Sequence, residues 1–215
     1  MKHINKLIAG SQKFKKKTFL QHKHEFQKLV AEGQSPKILF IGCCDSRVLP
    51  NLITNTGPGD LFIVRNIGNF VAPYSPDADF HSTAAAIEYA VSVLEVRDII
   101  VCGHSHCGAI SALYKPKKLE EKELVHVKTW LDLGVPAKEL VEEMTACEIS
   151  ERDKFTLTEE ISVLFQLDNL MTYPAVRKRV EEGELFLNAW HYDIESGEIF
   201  AYSDESEEFL PLISE

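Results

Sequence analysis

Long apolar runs are missing from this chain: no stretch approaches the roughly 18 consecutive apolar residues of a membrane-spanning helix, although 45% of its 215 residues are hydrophobic. The apolar residues are instead interspersed with 26% charged ones, an ordinary globular balance in a chain long enough to bury a full core. Repeats and low-complexity segments are absent as well. Positive charge is in short supply. The formal net charge of −10 argues against a general nucleic-acid partner, because phosphate binding needs a basic surface. Acids, in turn, are absent before Glu25. Seven lysines fall there, so the other 16 basic residues face all 33 acidic ones over the rest of the chain. A basic arm on an acidic body suits a solvated helix face, an arm docking on an acidic partner subunit, or a targeting segment. Leu7-Ile8-Ala9 is too short for the apolar centre of a secretory signal, so a cytoplasmic location is expected. Cysteines number only five, an odd count that does not suit a disulfide framework and points to metal binding or catalysis.

Turn signals divide the chain into alternating strands and helices. Ile4, Leu7, Ile8, Phe14, Phe19, Leu20, Phe26, Leu29 and Val30 fit two amphipathic helical pieces that make an arm and not a core. Ser35-Pro36 then disfavours helix, and Ile38-Leu39-Phe40-Ile41 predicts a short strand buried on both faces and ended by Gly42. Pro50, Gly57, Pro58 and Gly59 mark a loop before a second strand over 61–64 that runs out at Arg65-Asn66. A helix over 82–94, capped by Asp79, His81 or Ser82, leads to a third strand over 99–102, ended by Gly103. An acidic helical pattern follows over 120–144, broken at Gly134 and Pro136. Helices over 158–170 and from Pro174 to Gly183 come next, then strands over 185–192 and 199–202 around the turn Glu195-Ser196-Gly197. This order predicts an α/β fold: a central, mostly parallel β-sheet of about four parallel strands plus an antiparallel edge strand, flanked by helices. One domain spans 1–215, with 1–33 as the helical arm and 34–215 as the α/β core.

Reactive side chains gather where two of these strands end. Cys43-Cys44-Asp45-Ser46-Arg47 follows the first strand and His104-Ser105-His106-Cys107-Gly108 the third. In open α/β sheets, sites lie outside the carboxyl ends of strands, so both clusters fall on one edge and can meet. Cys43, His104 and Cys107 make a two-sulfur, one-nitrogen set that suits zinc. Three protein ligands leave a fourth position open, as in catalytic zinc sites. Asp45 stands beside that position, and Arg47 is the partner to keep it ionised and oriented. Taken singly, a His-x-x-Cys is commonplace, and Asp45 with Arg47 could be a structural ion pair. His106 is open between a surface imidazole, an alternative ligand and a proton carrier. Cys44, Cys102 and Cys147 are expected as small buried apolar groups.

With Gln34-Ser35-Pro36-Lys37, Val64-Arg65-Asn66-Ile67-Gly68-Asn69, Ala86-Ile87-Glu88-Tyr89-Ala90 and Asn169-Leu170-Met171-Thr172-Tyr173-Pro174 in the same order, the two clusters resemble the β-class carbonic anhydrases. The resemblance covers residues from about 34 to about 204. It implies reversible hydration of carbon dioxide to bicarbonate and a proton, with Zn2+, one per subunit, on Cys43, His104 and Cys107. It also implies that Asp45 and Arg47 form the dyad that accepts a hydrogen bond from the zinc-bound water. Gln34 matches a glutamine that bonds substrate, Phe62 and Tyr89 match aromatics of the pocket wall, and Gly108 would turn a backbone N–H to the substrate oxygen. In that family the pocket is built across a dimer interface with the arm over the neighbouring subunit, so a homodimer or a dimer of dimers is expected. The bicarbonate-gated group of the family typically carries tryptophan where this chain has Phe40 and lacks the glutamine matching Gln34, so the plant-like, open-site subgroup is expected. A hydrolase of another linear substrate such as carbon disulfide, and a non-catalytic zinc-stabilised module, are the alternatives; the intact Asp45–Arg47 pair counts against the latter.

Overall fold

Ile38–Cys43 is the strand (β1) around which the sheet is laid down. The computed structural model describes residues 2–77, 79–116, 123–145 and 149–212; Cys147 and the start of the expected helical stretch at 120 lie outside them. β1 pairs in parallel with β2 (Leu61–Asn66) on one side and with β3 (Asp98–His104) on the other. β3 pairs in parallel with β4 (Phe186–Tyr192). Antiparallel β5 (Ile199–Ser203) and β6 (Glu208–Pro211) complete the order β2-β1-β3-β4-β5-β6. The expected four parallel strands are present, but two antiparallel strands follow where one was expected. Glu208-Phe209-Leu210-Pro211 is short and closed by proline, which sheets tolerate at an edge, so it carries little strand signal.

Alternation along β1 fills both faces of the sheet. Leu39 and Ile41 join Ile99 and Val101 in the larger core, under α5 (Ser82–Ser92), while Phe40 packs with Ile100 and Cys102 on the reverse face. Between β1 and β2 lies the short helix α4 (Pro50–Ile53). After β3 come α6 (Gly108–Tyr114), α7 (Val125–Leu131), α8 (Val135–Met144), α9 (Glu151–Met171) and α10 (Pro174–Glu181). α9 starts at Glu151, seven residues before the expected 158, and is capped by Ser150, whose hydroxyl accepts the Asp153 N–H at 3.1 Å. α5 begins after His81 without a side-chain cap bond; the His81 ring instead meets Asp77 at 2.8 Å.

The arm consists of α1 (Lys2–Lys13), a π-helical turn over Phe14–Thr18, α2 (Phe19–Gln21) and α3 (Lys23–Glu32). Phe14, Phe19 and Phe26 cluster within it, while Ile4, Leu7 and Ile8 of α1 are exposed. Leu29 of α3 rests on Gly59, where a Cβ would lie 2.7 Å from the leucine; φ is +91° there, so glycine serves both packing and backbone. Among the described residues, no helix is long and apolar enough to cross a membrane.

Candidate metal centre

Both catalytic-looking segments leave the carboxyl ends of adjacent parallel strands. Cys43 closes β1 and His104 closes β3. His106 then takes a left-handed conformation (φ 60°) that turns the chain back, so that Cys107 arrives beside them at the foot of α6. The Sγ atoms of Cys43 and Cys107 and a ring nitrogen of His104 lie within 4.8 Å of one another, all buried. His104 Nδ1 donates to the Ser105 carbonyl at 2.9 Å, which fixes the tautomer and leaves Nε2 with a lone pair. That Nε2 is buried with no hydrogen-bond partner among the described residues.

Neighbouring groups hold these segments in place. Arg65, at the end of β2, donates from Nε to the Cys43 carbonyl (2.9 Å) and from Nη2 to the Asp45 carbonyl (2.7 Å). Ser105 donates its hydroxyl to Asp193 (2.9 Å) and accepts the Ile194 N–H (2.8 Å), which ties the β3 loop to the β4–β5 turn. The Cys107 N–H donates to the buried Glu159 carboxylate at 2.9 Å. Asp45 Oδ1 accepts both the Arg47 backbone N–H and Nε at 2.9 Å, Oδ2 accepts Nη2 at 2.7 Å, and Nη2 reaches the His106 carbonyl at 3.1 Å.

Electrostatics follow from these contacts. The Arg47 guanidinium holds the Asp45 carboxyl well below the usual carboxylate range, against the opposing effect of burial. A hydrogen bond from Cys107 draws the Cys43 thiol down to about 4 against burial, and the same contact, with burial, pushes Cys107 well above the ordinary thiol range. The first thiolate is thus favoured by its neighbour and the second opposed by it, a conflict that a bound dication relieves by stabilising both thiolates. With the orphaned His104 nitrogen, this donor set fits zinc.

Three of the expected residues, Gln34, Phe62 and Tyr89, are not brought to this cluster by the chain itself. Gln34 is exposed ahead of β1, at the opposite end of the sheet. Phe62 pairs with Leu39, whereas Cys43 pairs with Asn66; four residues at about 3.3 Å each place Phe62 roughly 13 Å back along β2. Tyr89 sits on α5, 5.9 Å from the Phe62 ring and exposed. Gly108 follows Cys107 as the first residue of α6 and is exposed. His106 is exposed, its Nε2 2.7 Å from Glu195. Cys102 is buried, and burial raises its thiol to about 12. Cys44, expected to be buried, is exposed, because β1 has ended and its side chain projects from the loop. Arg65, Glu159 and Asp193 were not anticipated; Arg65, a cation closing an apolar strand, was the readable signal among them.

Two thiols and an imidazole gathered at the carboxyl edge of a parallel sheet, with a carboxylate–guanidinium pair beside them, mark an α/β protein whose donor set suits a three-ligand metal centre. Comparison with known proteins narrows this class. The carbonic anhydrase family model matches residues 38–199. A carbonic anhydrase of Synechocystis sp. is 44% identical over 96% of this chain and 74% of its own length. One from Pseudomonas aeruginosa is 41% identical over 96% and 90%. The structure of the β-carbonic anhydrase CcaA superposes with a TM-score of 0.92 at 42% identity, covering all of this chain and 94% of that one. A tetrameric β-carbonic anhydrase from Sordaria macrospora gives 0.80 at 30% identity, over 94% and 97%. The chain belongs to the β-class carbonic anhydrases, zinc-dependent enzymes that hydrate carbon dioxide reversibly to bicarbonate and a proton.

Proposed function

We propose that carbon dioxide hydration takes place at the Cys43–His104–Cys107 cluster, with these three side chains holding one Zn2+ per subunit. When bound, zinc supplies a nucleophile near neutral pH, because it lowers the pKa of water to about 7. Asp45 works beside it. Held as an acceptor-only carboxylate by three N–H donors of Arg47, it takes the hydrogen bond of the attacking oxygen and turns a lone pair toward carbon, a positioning effect. Arg47 keeps Asp45 turned away from the metal position. This arrangement supports an open site at neutral pH, as does phenylalanine at position 40, which lacks the indole donor of tryptophan. The observation that carries the reading is the convergence of three buried donors, one of them the orphaned His104 Nε2, next to this dyad.

Phe62 and Tyr89 lie together toward the far end of β1 and β2, and Gln34 precedes β1 at that end, so we assign the three to the pocket of a neighbouring copy in a homodimer, or in a dimer of dimers. There Phe62 and Tyr89 would wall an apolar slot for carbon dioxide, Gln34 would bond the carboxylate that forms, and the Gly108 N–H would face its oxygen. Residues 1–33 are assigned as the arm of a single domain spanning 1–215, and a cytoplasmic location suits a centre that depends on free thiolates.

Stopped-flow carbon dioxide hydration with and without chelator, together with zinc analysis, tests the assignment. Cys43→Ser and His104→Ala are expected to lose zinc and activity, whereas Cys44→Ser keeps both. Full zinc and activity in Cys43→Ser would overturn the ligand set.

A further inference from the structure

Behind the metal cluster, α9 carries a carboxylate that the hydration chemistry does not use. Glu159 is 2% exposed and His191 of β4 is 3% exposed, and they face each other at 3.3 Å. The other oxygen of Glu159, Oε1, accepts the Cys107 N–H at 2.9 Å. The space bounded by Gly103, His104, Cys107, Glu159 and Ser162 is too tight for a water molecule, so the contact is direct. Gly103 is what lets the helix come so near. A Cβ there would lie 2.7 Å from Val163 Cγ2 and 3.3 Å from the Glu159 carbonyl. Burying a carboxylate and an imidazole carries a desolvation penalty that a neutral acceptor would avoid. What the side chain provides is two acceptor oxygens at once, Oε1 for the Cys107 N–H and Oε2 facing His191, so the acceptor of the Cys107 amide is held from both sides.

We propose that Glu159, braced by His191, is a positioning residue for the metal centre: by fixing the Cys107 main chain it sets where the Cys107 thiolate lies, and so how tightly the site holds its ion. The inference rests on reading Cys43, His104 and Cys107 as ligands. Loss of groups that orient metal ligands typically lowers affinity about 10–100-fold.

The test is zinc affinity by chelator competition on the full chain, with the thiolate-to-metal charge-transfer band of the cobalt-substituted protein as a second readout. Glu159→Ala is expected to weaken zinc binding about 10–100-fold and to shift the band, while Glu159→Gln, which keeps an acceptor at the same reach, recovers most of the affinity. Should Glu159→Ala fail to fold, Glu159→Asp, one methylene too short, is expected to show the same loss. Thr158→Val removes a buried hydroxyl bonded to Tyr114 and to the Lys154 carbonyl and is expected to leave zinc affinity unchanged. Wild-type affinity in Glu159→Ala or Glu159→Asp would overturn the proposal. So would a Gln variant as weak as the Ala variant, or an equal loss in Thr158→Val. Zinc retention by Cys107→Ser in the same assay would instead defeat the ligand assignment itself, which keeps the two failures apart.

Discussion

Arg47 makes more contacts with Asp45 than charge neutralisation requires. Its backbone N–H and Nε converge on one carboxylate oxygen, Nη2 takes the other, and Nη2 also reaches the His106 carbonyl, so the side chain bridges the β1 and β3 loops. Removing it frees Asp45 to swing toward the cation. Arg47→Ala is therefore expected to retain zinc but lose hydration about 10²-fold, the cost of misplacing one oriented group; wild-type turnover in stopped flow would show that another group holds the site open. Asp193 works at the same scale. Burial opposes its ionisation, but hydrogen bonds from the Glu195 N–H, Ser105 and Ser196 outweigh it and hold the carboxyl at about 2. A carboxyl depressed in the folded state stabilises it fully above the ordinary carboxylate range near 4, and that contribution is lost as pH falls through about 2. Asp193→Ala is thus expected to cost roughly 1–3 kcal/mol at pH 7, with the gap closing between about pH 4 and 2. Thermal melts of metal-free wild type and variant across that range check it; a gap independent of pH would assign the cost to packing.

α9 carries two surfaces. Val163 and Leu170 enter the sheet core, and beside them Thr158, Glu159, Ser162 and Gln166 form a buried polar stripe. Gln166 accepts the Val71 N–H at 2.8 Å, Asn169 donates to the Val71 carbonyl at 2.9 Å, and Glu159 takes Cys107. The helix thereby satisfies backbone that would otherwise be buried unpaired. Gly103→Ala would drive a methyl into it, at an expected cost of about 1–3 kcal/mol in chemical denaturation; unchanged stability would mean that Val163 yields freely. This element also marks where sequence reading ends. β1 and β3 were legible because residues buried on both faces form unbroken apolar runs, and the gathering of Cys43, His104 and Cys107 because the carboxyl ends of two strands in one parallel sheet fall on the same edge. Glu159 was not, since a polar residue in a mixed helix reads as solvent-facing until the partner strand is known. Cys44 was misjudged for a related reason: burial of a loop thiol depends on where the strand stops.

At the scale of the whole molecule, the metal cluster lies at one end of β1, and Gln34, Phe62 and Tyr89 lie toward the other. If one copy's residues complete its neighbour's pocket, two defective chains can repair each other. Mixing Cys43→Ser with Gln34→Ala under conditions of subunit exchange is expected to give more hydration activity than the two proteins separately, because a mixed dimer contains one site with every part intact. No gain, with exchange verified by mass, would show that Gln34 does not serve the neighbour's site. The strand order bears on biogenesis as well. β2 and α5 are encoded between the two ligand-bearing strands, so a nascent chain emerging from the ribosome carries a solitary Cys43 until the third strand has been made and has crossed over to pair with the first. If Cys43, His104 and Cys107 are the ligands, the full donor set exists only once β1 and β3 are paired, so tight zinc capture reports on the finished topology.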